Sequence, residues 1–213
     1  MQIEKNAENH PKNRPGVILP ETLVTMSTLP KGSRILDIGC AEGHTIEWLR
    51  EFFPNKYKYI GIDLSKTRIK KAQKQNVQYT EYCVGHAEDL PLENESVDFV
   101  LASQVIEHVP NDTKMLQEVN RVLAPGGGFQ IDTVYKKKWA WYIYRSPNGW
   151  AIDPTHVREY TNIGSLISKF PSSLLVNSTN LVKSYRRLNI LSVISFLPDW
   201  FKIRIPGSLL FFS

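Results

Sequence analysis

Short apolar runs alternate with amphipathic stretches through the first two thirds of the chain, often with proline or glycine between them. The apolar runs predict strands at residues 33–38, 57–63, 78–84, 97–103 and 128–134. The amphipathic stretches predict helices at residues 17–29, 43–53, 66–75 and 112–123. Strands that alternate with helices favour an α/β fold, in which helices cover both faces of a doubly wound, mostly parallel sheet.

The pattern changes in the last third of the chain. Residues 136–160 have no clear periodicity but are rich in tryptophan and tyrosine. A helix is predicted at residues 161–170, followed by strands at 173–184 and 202–212. Between those two strands lies an apolar segment, residues 188–200, that is longer than a hairpin needs.

One loop carries the strongest chemical signal. Residues 35–45 (ILDIGCAEGHT) run from an apolar strand through Asp37 into small residues and then into a helix. Gly39 and Gly43 allow a sharp turn and a close approach of a ligand to the backbone. A dinucleotide site would carry a GxGxxG pattern for a pyrophosphate, which Asp37 and Glu42 would repel. An acidic loop of this kind suits a cationic ligand with an amino-acid end, which points to S-adenosylmethionine.

This loop resembles the first motif of the class I S-adenosylmethionine-dependent methyltransferases, and four later segments resemble further motifs of that family in order. They are residues 60–65 (IGIDLS), 85–91 (GHAEDLP), 99–109 (FVLASQVIEHV) and 123–128 (LAPGGG). Asp63 follows Gly43 at the distance expected of a ribose-binding acid in a βαβ unit. The one departure is Ala41, where many relatives carry glycine.

The resemblance implies a Rossmann-like sheet of seven strands in which the last strand is antiparallel. We expect a single methyltransferase domain over residues 1–213, with a flexible start at 1–15. Residues 33–134 would form the cofactor-binding half. Residues 135–213 would form the substrate-side half, with 188–200 as an apolar insertion.

Carried over residue by residue, the resemblance implies a set of cofactor-binding positions at the ends of strands. They are Asp37, Gly39, Cys40, Ala41, Gly43, Asp63, Leu64, Ala87, Glu88, Asp89, Ser103 and Gln104. The ribose hydroxyls would be held by Asp63, and the exocyclic amine of adenine by Glu88 or Asp89. The alternative is that these acids only cap helices and form turns.

Two histidines are the candidate catalytic residues. His108 belongs to an EH pair that relatives often carry at the floor of the site. His156 lies in residues 153–161 (DPTHVREYT), which resemble the segment before strand six of small-molecule and lipid-quinone methyltransferases. A hydroxyl acceptor benefits from a base with a pKa near 7, as histidine provides. Structural hydrogen bonds are the alternative role for both histidines.

Aromatic side chains are the candidate substrate contacts. Trp139, Tyr142 and Tyr160 would suit a flat or hydrophobic acceptor and exclude water from a charged sulfonium. The alternative is that these aromatic side chains only form hydrophobic core beneath a lid. No cluster of metal-ligating residues is recognisable along the sequence, so no metal is expected.

The charge is uneven. Residues 1–132 carry a net charge of −3, whereas residues 133–187 carry +7. With Lys136, Lys137 and Lys138 near the predicted site and the apolar segment 188–200 beyond, peripheral contact with an anionic membrane is one expectation. A solubilising surface and a cover for the sheet edge are the alternatives.

The composition indicates in which cellular compartment the protein is expected. The chain has two cysteines with no partner pattern, a polar start without an apolar signal region, and no apolar run long enough to span a bilayer. These features predict a cytoplasmic protein.

The function expected is transfer of a methyl group from S-adenosylmethionine to an oxygen or carbon of a small acceptor that is hydrophobic or anionic, with a lipid-like molecule as one candidate. The alternative is a tRNA or rRNA methyltransferase that uses the basic region 136–187. Residues 103–106 (SQVI) lack the Asn/Asp-Pro-Pro loop of nucleic-acid amino methylases, and no DNA partner is expected. A cofactor-binding protein without turnover is a third interpretation.

Overall fold

The computed structural model describes residues 15–75, 78–136, 144–146, 149–151, 155–188 and 203–212. Within these residues the helices are α1 (Pro20–Thr28), α2 (His44–Phe52), α3 (Lys66–Lys74), α4 (Asp112–Val122) and α5 (Ile163–Ile167). The strands are β1 (Arg34–Ile38), β2 (Lys58–Asp63), β3 (Thr80–Val84), β4 (Val97–Ser103), β5 (Leu123–Val134), β6 (Tyr144–Ser146), β7 (Gly149–Ala151), β8 (Thr179–Leu188) and β9 (Ile203–Phe212).

The main sheet has the strand order β3-β2-β1-β4-β5-β9-β8. Strands β1 to β5 are parallel, whereas β9 runs antiparallel to both β5 and β8. The predicted Rossmann-like α/β fold with a parallel sheet is therefore confirmed. Because parallel strands end at the same edge, the polar residues after β1, β2 and β4 gather on one side of the molecule.

Alternate residues of the central strands face two separate cores. Ile35, Tyr59 and Phe99 pack with α1, α2 and α3 on one face. Their neighbours Leu36 and Ile60 belong to the other core, which contains α4 and α5. Both faces of the sheet are therefore buried, as the near-continuous apolar runs of β1, β2 and β4 require.

The sequence-based bounds of two strands differ from the structure. Strand β5 begins at Leu123 rather than at 128, because Val97 pairs with Leu123 before a register shift and Phe99 pairs with Gly128 after it. The glycines between these pairs are accommodated as an irregularity within the strand. Strand β8 begins at Thr179, later than the predicted residue 173.

The segment without periodicity contains a short hairpin of β6 and β7, which the sequence pattern did not indicate. The helix predicted at 161–170 spans only Ile163–Ile167, and the side chain of Asn162 caps its start by accepting the N–H of Ser165 at 3.2 Å. Within the described parts of the chain, no helix has the length and apolar character that crossing a bilayer demands.

Some of the predicted features fall on residues outside the described parts of the chain. They are the flexible start up to residue 14, the substrate candidates Trp139 and Tyr142, the basic residues Lys137 and Lys138, and residues 189–200 of the apolar insertion.

Candidate functional site

The loop after β1 is bonded to the end of β2. The backbone N–H groups of Gly39 and Cys40 both donate to the carbonyl of Ile62, at 2.7 and 3.1 Å. The N–H of Ala41 donates to Oδ2 of Asp63 at 3.0 Å. The glycine loop and the candidate ribose acid therefore form one hydrogen-bonded unit at the carboxyl edge of the sheet.

Two positions in this loop require glycine. Gly39 has a φ of +72°, and a Cβ there would lie 2.4 Å from Cγ2 of Val105. Gly43 has a φ of +90°, and a Cβ there would lie 2.5 Å from the hydroxyl of Tyr82. Ala41 accepts a φ of +49°, so the departure from glycine at this position leaves the turn intact.

Asp37 is a buried carboxyl at the end of β1. It is 3% exposed, and its Oδ2 has no hydrogen-bond partner among the described residues. Burial raises its pKa to about 8, and the charges of Asp63 and Asp132 act in the same direction. A cation bound nearby would reverse this effect, because it would stabilise the ionised carboxylate.

Gln104 is held over the end of β5. It has a φ of +57°, its N–H donates to the carbonyl of Asp132 at 3.0 Å, and its Nε2 donates to Oδ1 of Asp132 at 2.7 Å. Asp132 is 1% exposed, and burial raises its pKa to about 7. Asp132 was not among the predicted site residues; the signal was a carboxylate within the apolar run of β5.

The remaining candidate cofactor-binding residues differ in their exposure to solvent. Cys40 is buried, Ala87 and Ser103 are partly buried, and Leu64 and Asp89 are exposed. Oε1 of Glu88 accepts the N–H of Asn111, the residue that caps α4, at 2.5 Å. Glu88 therefore already supports a helix start, and Asp89 is the more exposed of the two adenine candidates.

The segment before α1 crosses the same edge. The N–H of Gly16 donates to Oγ1 of Thr45 at 3.0 Å, and a Cβ on Gly16 would lie 2.8 Å from Cβ of Ser103. The buried amide of Gln130 accepts the N–H of Leu19 at 3.0 Å and donates to the carbonyl of Val17 at 2.8 Å. Gln130 was also not predicted; it is a second polar residue within the apolar strand β5.

The two candidate catalytic histidines lie together. Their rings meet edge to face, with centroids 4.9 Å apart and planes at 68°. Nδ1 of His108 lies 3.2 Å from the carbonyl oxygen of Thr155, and Nδ1 of His156 lies 2.9 Å from Oε1 of Glu159. Oε2 of Glu159 is in turn 3.3 Å from Nζ of Lys136.

Glu107 lies beside this pair and is fully buried. Burial raises its pKa to about 7, although the nearby His156 and a hydrogen bond from Thr133 lower it. One ligand atom of Glu107 lies within 4.8 Å of one from each histidine. Folding therefore joins potential metal ligands from two distant parts of the chain, which the sequence pattern did not show as a cluster.

A family model described as a methyltransferase domain matches residues 36–131. The match starts within β1 and ends within β5, so it covers the glycine loop, Asp63 and the loop after β4. This part of the chain is therefore similar to a methyltransferase domain.

Curated methyltransferases are among the relatives that are similar to part of this chain. A phthiotriol/phenolphthiotriol dimycocerosates methyltransferase of Mycobacterium leprae is 36% identical over 129 residues, which are 60% of this chain and 46% of that protein. The chain thus spans about half or less of the length of such curated relatives.

The fold is shared with more distant proteins. An S-adenosylmethionine-dependent methyltransferase from Methanosarcina mazei has a TM-score of 0.61 at 17% identity, with 92% of this chain and 97% of that chain covered. A phosphoethanolamine N-methyltransferase from Haemonchus contortus, solved with S-adenosylmethionine, has a TM-score of 0.62 at 14% identity, with 90% and 50% covered.

The substrate candidate Tyr160 lies in the core. It is 6% exposed, and its hydroxyl donates to Oδ2 of Asp112 at 2.9 Å. Lys169 also donates to Oδ2 of Asp112, at 2.6 Å. The geometry therefore favours a structural role for Tyr160 over contact with an acceptor.

Proposed function

We propose that this chain binds S-adenosylmethionine at the carboxyl edge of β1, β2 and β4 and promotes transfer of its methyl group to a small acceptor. The observation that carries the proposal is Asp37. Its buried carboxyl has an oxygen without a hydrogen-bond partner among the described residues, next to a tight glycine loop. S-adenosylmethionine carries a sulfonium and an ammonium, and either positive charge would favour the ionised form of Asp37.

The residues around Asp37 suit the other parts of the same ligand. Each oxygen of Asp63 accepts one backbone N–H, from Ala41 or Ser65, and retains a lone pair for a ribose hydroxyl. Asp89 is exposed at the loop that would cover adenine. Gly39 and Gly43 keep the loop free of side chains where the ligand would approach.

We propose that the acceptor is hydrophobic or anionic and receives the methyl group on oxygen or carbon. The relative from Mycobacterium leprae supports this class, since its name gives phthiotriol and phenolphthiotriol dimycocerosates as acceptors. A triol offers hydroxyl oxygens, and a hydroxyl must lose its proton as it is methylated.

The proton would go to His156. Since a carboxylate oxygen only accepts, the bond to Glu159 places the proton of the neutral ring on Nδ1 and leaves the lone pair on Nε2. S-adenosylmethionine supplies the activated methyl group, so the protein mainly aligns the two reactants and takes up this proton.

Contact with an anionic membrane is a further proposal, which rests on the basic run of residues 136–138. Lys136 is the described member of the basic run, and it forms an ion pair with the buried Glu159 at 3.3 Å. Its charge therefore contributes to the site rather than to an exposed basic patch.

The proposal is tested in two stages. Calorimetry should detect saturable binding of S-adenosylmethionine and S-adenosylhomocysteine to the purified chain. Methyl-labelled cofactor is then incubated with separate lipid, small-molecule and RNA extracts, and label should enter the organic-soluble fraction. Absence of cofactor binding would refute the proposal, whereas label in the RNA fraction would refute the acceptor class.

A further inference from the structure

Three side chains with metal-ligating atoms converge after β4. One ligand atom from each of Glu107, His108 and His156 lies within 4.8 Å of the other two. Glu107 and His108 lie in the loop between β4 and α4, whereas His156 comes from the segment before α5. This donor set of two imidazoles and one carboxylate is common at sites for divalent transition metals.

Glu107 provides a separate observation that points to a ligand. The residue is 0% exposed, and its Oε1 has no hydrogen-bond partner among the described residues. Oε2 accepts the hydroxyl of Thr133 at 2.9 Å, so the carboxyl cannot turn outward without losing that bond. Buried polar atoms are rarely left without a partner, and a cation would satisfy this one.

The segment that brings His156 is fixed to the same residue. The backbone carbonyl of Glu107 accepts the N–H groups of Val157 and Arg158, at 2.9 and 3.3 Å. The guanidinium of Arg158 also donates to the carbonyl of Ile106 at 3.0 Å. The approach of the two histidines is therefore held by backbone contacts and does not depend on the imidazoles alone.

Each ring has one nitrogen in a hydrogen bond, as is typical of metal-binding histidines. A carbonyl oxygen can only accept, so Nδ1 of His108 donates to Thr155, and Nδ1 of His156 donates to the carboxylate of Glu159. These bonds place the lone pair of each neutral ring on Nε2. Ligating histidines in metalloproteins typically donate their second nitrogen to a carbonyl or carboxylate in this way.

We propose that Glu107, His108 and His156 bind a divalent transition-metal ion, with Zn²⁺ as the best match. Mg²⁺ and Ca²⁺ prefer ligand sets made of oxygen, whereas two imidazoles favour the transition metals. Ligands around a tetrahedral Zn²⁺ at about 2.1 Å are separated by about 3.4 Å. Since the three ligand atoms lie within 4.8 Å of one another, binding would draw them together by at most about 1.4 Å.

The metal site does not depend on the proposed methyl transfer. With three protein ligands, a tetrahedral ion keeps a fourth position for water or for an oxygen of another molecule. If transfer occurs, proton uptake by His156 and metal binding would use the same lone pair and would therefore be alternatives.

The test uses the purified full chain, stripped with a chelator and kept free of S-adenosylmethionine. Zn²⁺ is titrated with equilibrium dialysis and metal analysis, and Co²⁺ is titrated as a visible-absorption probe. We expect one ion per chain, a Co²⁺ spectrum with imidazole coordination, and a metal-dependent rise in the unfolding temperature. Mg²⁺ in excess should not displace Zn²⁺.

Variants locate the site. His156→Gln and Glu107→Gln should each weaken Zn²⁺ binding at least about tenfold, since losing a ligand costs at least as much as losing its supporting bond. His44→Gln is the matched control: its ring lies 3.4 Å from a carboxylate oxygen of Glu47 and 4.0 Å from one of Glu42, away from the cluster. This control should bind Zn²⁺ like the parent.

Two results would overturn the proposal. The first is the absence of saturable Zn²⁺ binding by the parent chain, a measurement that needs no variant. The second is an equal loss of binding in His44→Gln and His156→Gln. If Glu107→Gln fails to fold, His108→Gln replaces it, with circular dichroism as the check. Metal binding without methyl transfer would leave this inference standing and refute only the proposed function.

Discussion

Asp63 holds the backbone of Ala41 through a hydrogen bond of 3.0 Å from the Ala41 N–H to Oδ2. The other oxygen, Oδ1, accepts the N–H of Ser65 at 2.8 Å. One carboxylate thus joins the glycine loop after β1 to the turn after β2, and it lies where the proposed ribose would bind. Its removal should affect both the loop and the ligand.

Asp63→Ala should weaken S-adenosylmethionine binding by about 1–3 kcal/mol, or about fivefold to 150-fold, because hydrogen bonds to a charged group are lost. Calorimetry on the parent and the variant measures this. Asp98→Ala is the matched control, since Oδ2 of Asp98 accepts the N–H of Arg34 at 2.7 Å at the other end of β1.

The control should lower stability but leave cofactor affinity unchanged. Unchanged affinity in Asp63→Ala would contradict the ribose assignment. An equal loss of affinity in both variants would mean that the loss comes from a general effect on folding.

Gly39→Ala should lower the free energy of unfolding more than Gly32→Ala does. Both glycines have a positive φ, but a Cβ on Gly39 would lie 2.4 Å from Val105, whereas one on Gly32 meets nothing within 4 Å. We expect a loss of about 1 kcal/mol for backbone strain at Gly32 and about 1–3 kcal/mol more at Gly39 for the steric clash. Urea unfolding measures both.

The double variant Gly39→Ala/Val105→Ala separates strain from clash at this position. Removing the Val105 side chain should recover part of the loss caused by Gly39→Ala. If the double variant is no more stable than Gly39→Ala, the contact with Val105 is not the cause.

Binding of S-adenosylmethionine should release a proton near neutral pH. Burial raises the pKa of Asp37 to about 8, so the carboxyl is protonated in the ligand-free protein, and a bound cation would favour its ionised form. Affinity should therefore increase as the pH rises towards 8 and level off above it. Calorimetry in two buffers with different ionisation enthalpies measures the released proton, and Asp37→Asn should abolish the release.

The same carboxyl should make the ligand-free protein less stable as the pH rises. Between the ordinary value of 3.8 and the raised pKa of about 8, the folded state keeps a proton that the unfolded state has lost. The free energy of unfolding therefore falls across this window and levels above it. Asp37→Asn should show a shallower decline in chemical unfolding; an unchanged slope would contradict the raised pKa.

Tyr160→Phe should lower the free energy of unfolding by about 1 kcal/mol, because Asp112 loses one donor but keeps the bond from Lys169. Tyr135→Phe is the control, since its exposed hydroxyl donates to the carbonyl of Thr161 and its loss should cost less. Thermal and urea unfolding measure both. A changed KM for the acceptor in Tyr160→Phe, with stability retained, would restore the substrate role.

Local sequence was sufficient for the framework of this site. Apolar runs that alternate with helical stretches predict parallel strands, and parallel strands place their following residues at one edge. The sequence pattern alone therefore assigns Asp37 and Asp63 to the same site. It does not assign the bounds of β5, because the irregularity opposite Val97 and Phe99 depends on pairing with another strand.

The polar interior of the site depends on contacts between distant segments. Nothing in the periodicity of residues 153–161 indicates that His156 lies against His108, or that Gln130 holds the segment before α1. Hydrophobic periodicity reports which face of an element is buried, whereas these contacts depend on how loops pack across the sheet edge. The sequence pattern thus predicts the strands and their common edge. Only the tertiary structure brings Glu107, His108 and His156 together, because residues far apart along the chain meet there through the packing of loops, which hydrophobic periodicity does not report.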